Sequence, residues 1–107
     1  MQHQNIKQDW TNRSIAYQMG NIGSEVSRAF KNVNNFRFQG AFDRALELFD
    51  VSIEIANQRQ NQGQALEIMA ARDEFCNYFY DNNSYNSDPK IIQKYYDQFA
   101  IKAMTEP

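Results

Sequence analysis

Histidine is almost missing from this chain of 107 residues: the single one, His3, stands near its start. No expected helix carries one, so a Ser-His or Cys-His nucleophilic pair has no base to work with. Di-iron bundles need Glu-x-x-His pairs, and these are missing for the same reason. Cysteine is nearly as scarce. Cys76 alone cannot close an internal disulfide, and a chain that does without disulfides suits a reduced setting. The longest apolar runs are far too short to cross a bilayer. The opening "MQHQNIKQDW" has no apolar core of a secretory signal, so a cytoplasmic location is expected, without membrane attachment. Basic residues form no block: eleven Lys and Arg are scattered from Lys7 to Lys102 in a chain of net charge −2, which argues against nucleic-acid binding. Strands are also missing from the pattern, since no stretch alternates apolar and polar residues between turn signals.

Amides, by contrast, are abundant. Asn and Gln make up more than a fifth of the residues and gather in "NVNN", "NQRQNQGQ" and "DNNSYNS". Asn favours turns because its side chain bonds its own backbone and tolerates left-handed conformations. These clusters divide the chain into four amphipathic segments. The first spans about 11–33, with Ile15, Met19, Ile22, Val26, Ala29 and Val33 stepping by fours and threes as an a/d seam. Ser14, Gln18, Asn21, Glu25, Arg28 and Asn32 form a polar stripe on one side of that seam. Ala16, Gly20, Gly23, Ser24 and Ser27 form a smooth strip on the other. The seam keeps phase through both glycines, so one continuous helix is expected, with large side chains of the second helix against the strip.

The second helix starts at Phe36 or Gln39 and ends near Asn57. Its apolar residues cover well over half its circumference, which makes it central or part of a homodimer. Its polar remainder is the line Asp43, Glu47, Asp50 and Glu54, read as a solvated face. The third helix spans about 64–81, with Ile68, Met69, Phe75, Cys76 and Phe79 inward. The fourth has the clearest start signal, Asp88 as N-cap and Pro89 in the first turn. It buries Ile92, Tyr95 or Tyr96, Phe99 and Ala103. The expected fold is all-α, an antiparallel four-helix bundle over residues 11–104, with tails at 1–10 and 105–107.

Four segments, "NIGSEVSRA", "FDRALELFD", "CNYFYDNNSYNS" and "KYYDQFA", occur in this order between Trp10 and about Ala103. In them the chain resembles a family of small, uncharacterised, all-helical bacterial proteins. The resemblance implies a bacterial origin and a helical bundle, and brings no activity with it. Size and layout are also similar to the four-helix HEPN-type proteins, some of which are ribonucleases. Their pattern places an arginine and, a turn or more later, a histidine on one helix. With only His3 available, the resemblance implies at most a degenerate RNA-processing relative.

Candidate functional residues are few. "GNIG" has the spacing of a Gly-x-x-Gly nucleic-acid clamp, but that clamp belongs to α/β domains. Phe75, Tyr78, Phe79, Tyr80 and Tyr85, with Tyr95 and Tyr96, form an aromatic group better suited to core than to stacking on a ligand. Arg72 is the most informative residue, because its helical spacing sets a charge inside an apolar stripe where it needs a partner. Glu25 is the expected partner and Asp50 the second choice. With Asn21 and Arg28, Glu25 and Arg72 would make a polar network within the bundle, the best binding-site candidate in the chain. No catalytic residue, metal site or cofactor is expected. The leading function is a non-catalytic interaction module, as a homodimer or with another protein. A bundle binding a small molecule or nucleotide is the alternative.

Overall fold

The computed structural model describes residues 3–80 and 88–106. The loop "DNNSYNS", residues 81–87 with Tyr85 among them, lies outside the described residues. Five helices are present among those described, one more than expected, and no strand: α1 (His3–Trp10), α2 (Ile15–Lys31), α3 (Phe38–Gln58), α4 (Gln62–Tyr80) and α5 (Pro89–Thr105). None is long and apolar enough to cross a membrane.

The additional helix is α1, where a tail was expected. Its eight residues are too few to hold a helix in water unaided. It is held by α3, against which it packs, and by burial of Trp10. Gln18 then ties it to the bundle. Its Nε2 donates to the carbonyls of Trp10 (3.3 Å) and Arg13 (3.1 Å), and its Oε1 accepts from Ser52 Oγ on α3 (2.8 Å). The buried polar network is thus a different one from that expected: Gln18 and Ser52 form it, and none of Asn21, Glu25, Arg28 and Arg72 belongs to it.

Helix α2 begins at Ile15, later than expected, because Ser14 caps it by accepting from the Tyr17 N–H (3.1 Å). The same hydroxyl donates to Glu106 beyond the end of α5 (2.6 Å). The helix runs unbroken through Gly20 and Gly23 and stops at Lys31, where "NVNN" turns the chain. Val33 consequently leaves the seam and is half exposed.

Contacts order the helices. α2 packs on both α3 and α5, α3 also packs on α4, and α1 covers a further part of α3. The broad apolar surface of α3 is thus taken up within the chain. On its α4 side it carries an aromatic ladder: Phe42 stacks on Phe75 (5.0 Å, 19°), Phe38 meets Phe79 (4.9 Å), and Phe49 meets Phe75 (5.8 Å). Met69, expected inward on α4, points to solvent. Asp88 accepts from the Lys90 N–H (2.9 Å) at the start of α5, as the sequence signal implies.

The glycine strip of α2 receives α5, not the phenylalanines of α3. A Cβ placed on Gly20 would lie 3.1 Å from the Ala100 backbone, and one on Gly23 only 2.4 Å from Tyr96 Cβ. Gln93 seals this seam by donating to the Gly23 carbonyl (3.1 Å).

Candidate functional site

The four residues expected to share a site are not brought together. Arg72 lies on the outer surface between α3 and α4, one-third exposed, with Nε 3.0 Å from Asp50 Oδ1. Its partner is the second choice, and the expected Arg72–Glu25 pair is absent. Helical spacing set Arg72 inside the apolar stripe, whereas it lies at the stripe's edge where α4 packs on α3, so the partly exposed Asp50 is within reach. Asn21 is exposed and donates to the Tyr17 carbonyl of its own helix (2.8 Å). Only Glu25 and Arg28 remain together, as a local pair at 3.3 Å.

That pair borders an open surface groove. Between the end of α2 and the start of α3 lies a groove of about 680 Å³, lined by Glu25, Arg28, Phe36, Arg37, Gly40, Ala41 and Arg44. The connection between the two helices shapes it through its own side chains. Asn32 donates to the Arg28 carbonyl (2.8 Å), Asn35 donates to Asn32 Oδ1 (3.0 Å), and the Arg37 N–H donates to Asn35 Oδ1 (2.8 Å). This amide-rich turn holds Phe36 outward, 88% exposed, while Phe38, two residues on, enters the aromatic ladder. Arg37 sits over the Phe36 ring at 5.6 Å, a cation–π arrangement worth little in water.

The electrostatics of the groove are lopsided. Three guanidiniums line it; Glu25 pairs with Arg28 and Glu47 with Arg44 (3.2 Å), which leaves one positive charge in excess. The first turn of α3 contains no acidic residue, and Arg37 at its N-cap makes no side-chain cap bond, so the positive end of the helix dipole is left uncompensated there. Gly40 leaves the backbone open, since a Cβ there would meet nothing within 4 Å. Glu25 is mostly buried, and its Oε2 has no hydrogen-bond partner. Arg37, Arg44 and Phe36 were not singled out by sequence reasoning. The available signal was the amide turn, which forces the residue after it into solvent.

Other chemistry is sparse. No group of metal-ligating side chains is found among the described residues. Members of the acidic line are engaged: Asp43 accepts from Gln39 (2.8 Å), Glu47 from Arg44, and Asp50 from Arg72. Cys76 is half-buried. Burial pushes its thiol pKa up against the lowering pull of Arg72, so little reactive thiolate forms at neutral pH. Tyr95 donates to Glu67 (2.6 Å); burial first, then this bond, raises its phenol pKa. Tyr96 is fully buried and its hydroxyl lacks a partner; burial above all, with Tyr95 and Glu74 adding, raises its phenol pKa further.

Comparisons of this chain with protein-family models, with curated proteins and with solved structures returned no match.

Proposed function

We propose that the chain is a non-catalytic protein-interaction module whose recognition surface is the α2–α3 corner. The observation that carries this reading is Phe36, an aromatic ring 88% exposed at the rim of a groove lined by Arg28, Arg37 and Arg44. A ring held in water by the hydrogen bonds of its own turn does nothing for the core, and burying it would stabilise a complex by roughly 2 kcal/mol. Aromatic and arginine side chains are the residue types enriched where proteins meet.

The scaffold in this reading is an antiparallel four-helix core of α2 to α5, with α1 as a strap. Pairing of Gly20 with Ala100 and Gly23 with Tyr96 supports it, as do the bonds from Arg59 to the Thr11 and Arg13 carbonyls (both 2.8 Å). A reduced, cytoplasmic setting and a bacterial origin belong to the same reading. The partner is a second copy or another protein. A homodimer has lost one argument, because α1, α2 and α4 cover the broad apolar face of α3.

The test is affinity capture with the tagged chain, compared quantitatively with Phe36→Ser/Arg44→Glu, alongside light scattering of both purified proteins. A protein lost from the variant's capture, or a dimer that the variant dissolves, supports the reading. Identical captures together with two monomers refute it.

A further inference from the structure

Charge complementarity at the corner goes further than interaction in general. Taking the corner to be an interaction surface, as proposed above, we infer that the α2–α3 groove takes an extended acidic segment of a partner protein. Its carboxylates meet Arg28, Arg37 and Arg44, and an apolar side chain of the segment covers Phe36.

Three features point to this occupant. First, three guanidiniums meet two carboxylates around the groove, Arg28 paired with Glu25 and Arg44 with Glu47, which leaves one positive charge in excess on a chain whose net charge is −2. Arginine offers carboxylates a planar, bidentate fork, so the cluster suits spaced carboxylates better than one diffuse anion. Second, the start of α3 adds to the same field, with no acidic side chain in its first turn and with Gly40 leaving the backbone accessible. Third, Glu25 selects among polyanions. Its Oε2 is buried beside the arginines without a hydrogen-bond partner. A peptide spaces its carboxylates along the chain and can set an uncharged residue beside Glu25. A nucleic-acid backbone instead carries a negative charge at every residue and would run against Glu25 and Glu47. The exposed ring of Phe36 completes the match, since an acidic segment with interspersed apolar residues covers it.

Fluorescence anisotropy tests this with the full chain and a short fluorescein-labelled peptide of alternating glutamate and leucine. The controls are the same peptide with glutamine for glutamate and a labelled oligouridylate. Binding should weaken steadily with added salt, as expected for exposed charge pairs. Arg37→Gln/Arg44→Gln should weaken it about tenfold and Phe36→Ser about threefold, consistent with contacts at the rim of an interface. Both variants should melt like the parent, because these side chains are exposed or only half-buried. Three results overturn the inference: no binding of the glutamate peptide, equal binding of the glutamine peptide, or tighter binding of oligouridylate. If the peptide fails while the corner variant still loses a captured protein, the acidic occupant is wrong and the interaction reading stands. If both fail, both are wrong.

Discussion

The two flanks of α2 are built from the same helix and differ in almost every physical respect. On one side Gly20 and Gly23 let α5 approach until a Cβ on Gly23 would fall 2.4 Å from Tyr96 Cβ. On the other side a single polar stripe changes character along its length. Gln18, at its start, is buried and fully bonded, whereas Glu25 and Arg28, two turns later, border an open groove. The lesson is that residue type did not decide burial; the neighbouring chain did. Close backbone approach removed all space on the glycine flank. At the other end, α1 and Ser52 enclosed Gln18, and among the described residues only α2, α3 and their connection line the corner where α2 hands over to α3.

Substitutions at the glycine flank should have the largest effects. Gly23→Leu should prevent folding outright, and Gly23→Ala should lower stability by about 2 kcal/mol. Overpacking costs up to about 3 kcal/mol, and alanine's better helix propensity returns about 1 kcal/mol of that. Thermal and denaturant melts measure both. Gly40→Ala, in the open groove, should be neutral or stabilising by up to about 1 kcal/mol, because only propensity changes there. Equal effects at Gly23 and Gly40 would erase the distinction between the flanks.

Next in size is the buried end of the polar stripe. Gln18→Ala removes two donated bonds and one accepted bond in the interior, and should cost about 2 kcal/mol. Hydrogen exchange should quicken first in α1, since Gln18 is its main polar tether. Exchange spread evenly over all helices would contradict that role.

Smaller effects are expected at the phenols of α5. Tyr96→Phe removes a buried hydroxyl that has no partner, so it should be neutral or stabilising by about 1 kcal/mol. Both Tyr95 and Tyr96 have folded-state pKa values raised above the unfolded value of 10.0. Each therefore keeps its proton in the folded state after the unfolded chain has lost it. Their contribution to stability is complete below about pH 10 and declines as pH rises beyond it. Denaturant midpoints taken across this range should fall more gently in Tyr95→Phe and Tyr96→Phe than in the parent. The smallest effect is at the open corner, where Arg28→Gln should change stability by less than about 0.5 kcal/mol, because the Arg28 end of its pair with the mostly buried Glu25 is exposed to solvent.

Much of the scaffold was readable from residue spacing. The seam of α2, its continuity through two glycines, the centrality of α3 and the Asp88–Pro89 start of α5 all come from local rules. Failures occurred wherever a long-range neighbour decided the outcome. Helix α1 has too few residues to announce itself and exists through Trp10 and Gln18. Periodicity places Arg72 on a face of α4, yet says nothing of whether Glu25 or Asp50 stands opposite. The phenylalanines of α3 were assigned to the glycine strip, whereas they meet Phe75 and Phe79 on α4, and Tyr96 fills the strip. At the corner, Glu25 and Arg28 were legible as neighbours on a stripe. Arg37, Arg44 and Phe36 join them only because the amide turn brings the start of α3 alongside.

The most direct test is an amide chemical-shift titration of the isotope-labelled chain with the glutamate–leucine peptide. Salt-sensitive shifts confined to the end of α2, the 32–37 connection and the first turns of α3 are the expected result. Shifts centred on the α2–α5 seam, or no shifts at all, would contradict the division of α2 into a sealed flank and a recognition flank.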